Sequence, residues 1–303
     1  MKIYPILIFS VIFFMGCQAV RSQSPSRPPS PNDQPALKDL IPKRMVYVVP
    51  GMDRVRVLKD ITYKRIENDA LKMDVYLPFM AKSTSRLAAI VFIHGGPLPT
   101  DLPSQPKEWG VFTSYGQMAA ARGFAAVTFN HRFFGPQRLL DAQGDIDDLI
   151  TYIRDHASEL GIDKDRIALW AFSGGGPFLS HALKNPPSFI RCIVAFYAIM
   201  DIRPLRSQTP SSISDDTLKD FSPVFALSQR EGGLPPMMIG RGGLDNPVLN
   251  STIDQFVELA LRKNLLVDLC NHPNGHHGFD VRDDDDRSRE IIRHAIEFIR
   301  DHT

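Results

Sequence analysis

ALWAFSGGGPF, residues 168–178, is an apolar run that ends in one serine followed by three glycines. Two readings compete for it. A strand can pass through a tight turn into a helix and leave Ser173 exposed at the turn as a nucleophile. Alternatively, Ser173 caps a helix and the glycines let that helix pack close to the strand. A hydroxyl nucleophile needs a base, an orienting carboxylate and oxyanion donors, so the rest of the chain has to decide.

On either side of this stretch, strand and helix signals alternate. RVLKDITYKRI (56–66) and LKMDVYLP (71–78) alternate apolar and polar residues and suit an antiparallel pair at a sheet edge. LAAIVFI, FAAVTFN, RIALWAF, IRCIVAFYA, PPMMIGRG and LLVDLC are nearly continuous apolar runs. Between them lie helical patterns around Ser114–Arg122, Leu139–Leu160 and STIDQFVELALRKN (251–264), and REIIRHAIEFIR (289–300) closes the chain. Continuous apolar strands separated by helices imply a mostly parallel central sheet with helices on both faces, here with an antiparallel N-terminal edge. Ligands in such α/β sheets sit at the carboxyl ends of the strands. The chemically capable residues do follow apolar runs: His94-Gly95-Gly96-Pro97, Ser173, Asp245, then His276 and His277.

The order serine, acid, histidine is the one an α/β-hydrolase uses. On Ser173, Asp245, His277-Gly278-Phe279 and His94-Gly95-Gly96, residues 45–303 resemble the α/β-hydrolases of the esterase and dienelactone-hydrolase-like group. HGGP also has some similarity to prolyl-oligopeptidase-like catalytic domains. The resemblance implies Ser173 as nucleophile, His277 as base and Asp245 as acid. It implies Gly96 and Gly174 as oxyanion donors, with Gly95 as an alternative to Gly96, and no metal or organic cofactor. Two departures stand out. Ala171 replaces the first glycine of Gly-x-Ser-x-Gly, and Pro97, which has no N–H, stands where a third glycine is common. The expected activity is hydrolysis of a carboxylic ester through an acyl-enzyme. A peptidase or acyltransferase of the same fold is the first alternative, and a non-catalytic binding protein is an alternative of another class.

Each site residue has a structural rival. Asp245 lies in GGLDNP, which suits a turn, and Asp201, Asp268 and Asp280 are rival acids. His94 suits a structural hydrogen bond. His272, His276 and His277 could ligate a metal, but there is no HExxH and no CxxC. His131 is a substrate-binding candidate, and a surface ion pair at His131–Arg132 is the alternative. Residues 201–235 are long for a connection and sit between the serine and acid strands, so a short lid insertion is expected there, with Phe221 and Phe225 as substrate contacts. RDDDDRSRE (282–290) reads as solvated charge opening the last helix.

The chain has 303 residues, a formal net charge of +1, 43% hydrophobic and 23% charged residues, which is ordinary for a globular protein. No basic stripe argues for nucleic acid. Lys2 precedes an apolar stretch, Ile3–Met15, that falls short of the roughly 20 residues needed to span a bilayer but suits a signal peptide. It ends in Phe14-Met15-Gly16-Cys17, which resembles the lipobox of bacterial lipoproteins, whose cysteine is acylated. RSQSPSRPPSPNDQP (21–35) cannot pack and suits a tether. The expected organisation is a signal peptide over 1–16, a tether over 17–43 and a hydrolase domain over 44–303. The expected protein is exported and anchored in a bacterial membrane through lipidated Cys17, with secretion or a periplasmic location after an ordinary signal cleavage as the alternative, and acts on a small-molecule ester. Of three cysteines, Cys192 and Cys270 fall on different strands, so no disulfide is expected between them.

Overall fold

The computed structural model describes residues 37–303 apart from Asn68 and Ser83; the signal, Cys17 and most of the tether lie outside the described residues. The strands are β1 (Arg56–Ile66), β2 (Asp69–Leu77), β3 (Leu87–Ile93), β4 (Ala125–Phe129), β5 (Ile162–Phe172), β6 (Ile190–Phe196), β7 (Met237–Gly242) and β8 (Val267–His272). The α-helices are α1 (Leu37–Leu40), α2 (Gly110–Ala121), α3 (Leu139–Asp155), α4 (Ala157–Leu160), α5 (Leu179–Lys184), α6 (Asp215–Asp220), α7 (Pro223–Ser228), α8 (Pro247–Arg262), α9 (Phe279–Arg282) and α10 (Asp286–His302). All eight strands form one sheet in the order β1-β2-β4-β3-β5-β6-β7-β8. β1, β2 and β4 pair antiparallel, and every pairing from β4 through β8 is parallel.

The two-residue period of a strand divides the core in two. Val91, Ile93, Val127 and Leu169 pack with α3, α5 and α8 on one face. Ile90, Phe92, Ala126 and Trp170 pack with α2 and α10 on the other. Burial of both faces explains why these strands read as unbroken apolar runs. The half-polar β1 lies at the edge with most of its side chains part-exposed. From β3 the chain moves one way to β4, then crosses to β5 on the other side of β3. Such a reversal opens a crevice at the carboxyl ends of the strands, and both Gly95-Gly96 and Ser173 lie there.

The folded unit reaches further back than residue 44. Residues 37–43, expected within the tether, include helix α1, and the Ile41 carbonyl accepts from Gly110 N–H at 2.8 Å. Leu37 and Ile41 pack against the core on the α2/α10 face, which is what two large apolar residues do after a polar tether ends. At the far end, Asp285 caps α10 by accepting from Ser288 N–H, so that part of the acidic run serves the helix start. Cys192 and Cys270 are both free thiols.

Candidate active site

Ser173 follows β5 with φ 52°, a left-handed backbone that a residue other than glycine adopts only under constraint. The turn projects its hydroxyl above the sheet. Its neighbours are fixed by the absence of side chains: a Cβ on Gly175 would lie 2.7 Å from Ile93 O, and one on Gly174 would collide with Gly96 O. Close passage of the β3 loop under the turn is therefore what the glycines provide. Ala171 fits because it lies within β5, paired with Ile93 and Ala195, one step before the tight passage.

His277 arrives on the loop after β8 and Asp245 on the turn after β7. His277 Nε2 is 2.8 Å from Ser173 Oγ, and His277 Nδ1 is 2.7 Å from Asp245 Oδ2. The Asp245 side chain is 1% exposed, and its other oxygen accepts from Asn246 N–H at 2.6 Å. Asn246 in turn caps α8. The turn chemistry of GGLDNP and the carboxylate–imidazole contact are thus properties of the same short segment. The rival acids are engaged elsewhere: Asp201 with Arg203 and Ser222, Asp268 with His294, and Asp280 with Tyr115 and Tyr197.

The chain after Ser173 is a 3-10 segment, Ser173–Phe178, with Pro177 inside it, and only then the six-residue α5. The helix expected directly after Ser173 is therefore short and begins late, so little macrodipole points at the serine. The Gly95-Gly96 loop passes directly against Ser173 and Gly174, where a Cβ on Gly95 would lie 2.9 Å from Ser173 Cβ and 3.2 Å from Gly174 N. Among the described residues neither Gly95 nor Gly96 N–H donates to another backbone carbonyl.

Beside these glycines, Phe133, Leu139, Ile199, Ile202 and Leu205 line an apolar cavity of about 140 Å³ whose near wall is Gly96, Pro97 and Gly174. Ile202 and Leu205 belong to the start of the 201–235 segment. A bidentate Arg203–Asp201 ion pair and the Ser222 hydroxyl, 2.7 Å from Asp201, tie that segment down. A larger cavity of about 230 Å³ between α3 and α5 does not reach Ser173.

Three expected substrate contacts lie elsewhere. His131 is buried and stacks on His94, centroids 3.6 Å apart and planes 4° from parallel. The pair lies beneath the glycine loop, where His94 Nδ1 meets Gly95 O at 2.7 Å and His131 Nε2 meets His94 O at 3.3 Å. Burial pushes the His94 imidazole down to about 4 and that of His131 well below its ordinary value. Arg132 is the surface partner, held by Asp145 through two hydrogen bonds of 2.9 and 2.8 Å. Phe221 is 1% exposed and packs against Phe178 and His181. Phe225 lies under the Arg203 guanidinium, 5.5 Å from its ring centre. Neither phenylalanine lines the cavity. An apolar phenylalanine in a loop looks the same in sequence whether it faces substrate or core; the cavity residues Ile202 and Leu205 carried no stronger signal.

The loop histidines separate. His272 Nε2 meets Asp285 and Ser288, His276 Nδ1 meets Asp283, and His277 faces Ser173. Among the described residues one trio brings ligand-type atoms within 4.8 Å, namely Asp268, Cys270 and His294. It lies on β8 and α10, with His294 Nε2 already 2.5 Å from Asp268.

The fold is that of an α/β-hydrolase. Thermogutta terrifontis esterase 2, phosphorylated by paraoxon, is 25% identical to this chain, covering 83% of it and 95% of its own length at a TM-score of 0.66. The propionate-bound form of the same planctomycete esterase is 26% identical, covering 83% of this chain and 96% of its own at 0.65. A secreted lipase of the fungus Arthroderma benhamiae is 29% identical over 170 residues, which are 48% of this chain. This chain spans about a third of the length of that lipase, 33%. Fold and relatives together define the class: the α/β-hydrolases. The BD-FAE family model matches residues 73–258, more than half of the chain, and the chain belongs to the BD-FAE family.

Proposed function

We propose that this protein hydrolyses short-acyl carboxylic esters by a Ser173–His277–Asp245 acyl-enzyme mechanism. The observation that carries the reading is the continuous hydrogen-bonded line from Ser173 Oγ through His277 to Asp245, at 2.8 and 2.7 Å. Ser173 Oγ attacks the ester carbonyl carbon while its proton passes to His277 Nε2. The carbonyl oxygen becomes an oxyanion beside the Gly174 and Gly96 N–H groups, with Gly95 as the alternative loop donor. The tetrahedral intermediate then expels the alcohol oxygen, which takes the proton from His277, and leaves the acyl group on Ser173. Water deprotonated by His277 attacks that acyl-enzyme, releases the acid and restores the serine. Asp245 holds the imidazole tautomer and stabilises the imidazolium. Pro97 offers no N–H, so two donors carry the oxyanion, and losing one costs about 10²–10³ in kcat.

The apolar cavity beside Gly96 and Gly174 supports a short or compact acyl group. An apolar cavity of about 150 Å³ holds a benzene-sized group, and this one is about 140 Å³. Propionate bound to the Thermogutta esterase agrees in size. Hydrolysis of p-nitrophenyl esters from acetate to decanoate tests the reading. Activity is expected to peak at or below about six acyl carbons and to vanish in Ser173→Ala; a Ser173→Ala variant as active as wild type would remove the mechanism. For the N-terminus the proposal is export and lipid attachment at Cys17, in keeping with the secreted fungal relative. No helix among the described residues is long and apolar enough to cross a membrane. Incorporation of a labelled fatty acid into wild type but not into Cys17→Ser is the expected result, and equal labelling of both would contradict it.

A further inference from the structure

Behind His277 lies a second, buried carboxylate that the steps above do not use. Asp280, on α9, is fully buried, and both its oxygens are occupied: Tyr197 O–H donates to Oδ1 and Tyr115 O–H to Oδ2, each at 2.7 Å. Tyr197 follows β6 with φ 39°, a strained backbone for an aromatic residue, pinned by its N–H to Gly240 O at 2.7 Å. Its ring stands edge-on to the His277 imidazole, centroids 4.8 Å apart at 61°. The chain thus places a strained tyrosine against the imidazole and anchors its hydroxyl on an acid three residues beyond that histidine.

We propose that Tyr197 and Asp280 are positioning residues for His277: the anchored phenol braces the imidazole, and the Asp280 carboxylate is a second negative charge behind Asp245 that favours the imidazolium. The inference rests on the acyl-enzyme reading above. Burial and the neighbouring Asp280 raise both phenols well above their ordinary range, so they remain protonated and donate. Burial also raises the Asp280 carboxyl, while the two phenols and the charge of His277 oppose that rise. The groups around His277 are Ser173 beyond β5, Asp245 beyond β7, Tyr197 beyond β6 and Arg282 from α9, with Asp280 behind Tyr197. The Arg282 guanidinium reaches only the His277 carbonyl, at 3.4 Å. His276 and Asp283 pair with each other.

The test compares wild type, Asp280→Asn and Tyr197→Phe, each normalised to the fraction of Ser173 labelled by an organophosphonate. A neutral imidazole is the active form of the base, so removing the second negative charge behind it is expected to extend activity to lower pH. In Asp280→Asn the acid limb of kcat/KM is expected to move down by about half a pH unit or more. In Tyr197→Phe, which keeps the ring, kcat is expected to fall severalfold with KM little changed. A purely structural role would lower the melting temperature and leave the limb and the kcat per labelled serine unmoved, which would overturn the inference. If Asp280→Asn does not fold, Tyr197→Phe alone decides. Wild type that fails to label at Ser173 would instead overturn the reading beneath it.

Discussion

Asp245 performs two tasks with its two oxygens, one toward His277 and one toward Asn246 N–H at the start of α8. An Asp245→Asn change preserves the shape but offers the imidazole an amide that favours the wrong tautomer. The expected loss in kcat is about four orders of magnitude with the fold retained, checked by kinetics beside circular dichroism. Near-wild-type turnover would exclude Asp245 as the orienting acid. The stacked His94–His131 pair makes a different prediction. Both imidazoles are pushed down in the folded protein, His94 to about 4 against an ordinary 6.5. The unfolded chain therefore binds more protons below about pH 6.5, and the stability due to keeping these rings neutral is present above that pH and is lost as pH falls towards 4. For His94 alone this is on the order of 3 kcal/mol. The melting temperature should drop across that window, and less so in His131→Phe, which keeps a flat ring in the stack without a titrating nitrogen. An identical pH dependence in the two proteins would contradict this account. In sequence, His94 read as a structural residue from its place before two glycines, whereas the role of His131 depended on which way a loop residue turns, and no local pattern encodes that.

At the scale of elements, the serine turn and the glycine loop after β3 form one unit. Gly174→Ala would drive a methyl group into Gly96 O, which belongs to rigid backbone on both sides. The turn and the loop then separate, and the variant is expected to lose at least about 10²-fold in kcat, with overpacking costing about 1–3 kcal/mol of stability. Activity measured beside a thermal melt checks it; a fully active variant would show that the loop does not approach Ser173 this closely. The first turn of the 201–235 segment sets the far wall of the cavity through Ile202 and Leu205. Leu205→Trp should therefore shift ester preference towards acetate, while the same change at Phe225, beneath Arg203, should leave the chain-length profile as it was. Strands were legible because burial on both faces makes them continuously apolar. So was the position of the elbow, because Ser173 ends such a run. The late, short helix after Ser173 was not, since Gly-Gly-Gly-Pro permits either helix type. Nor was the inward packing of Phe221, which depends on how α6 and α7 fold back over α5.

Across the whole molecule, one twisted sheet gathers residues far apart in the chain at the carboxyl ends of β3, β5, β7 and β8. The order of strands β4-β3-β5 makes the crevice, and the serine–acid–histidine order is the chain order of β5, β7 and β8, whose carboxyl ends lie on one side of it. That arrangement could be anticipated because alternating strands and helices leave few topologies. The extent of the folded unit could not, because Leu37 and Ile41 sit in a short segment with no periodic pattern, and their value depends on the α2/α10 face they cover. Reaction of the whole chain with paraoxon, followed by peptide mass spectrometry and residual ester hydrolysis on the same sample, decides whether Ser173 is the nucleophile. One phosphoryl adduct is expected, on Ser173, formed in step with the loss of hydrolysis and absent from both Ser173→Ala and His277→Ala. Hydrolysis that survives full modification of Ser173, or that disappears through an adduct on another residue, would contradict that role.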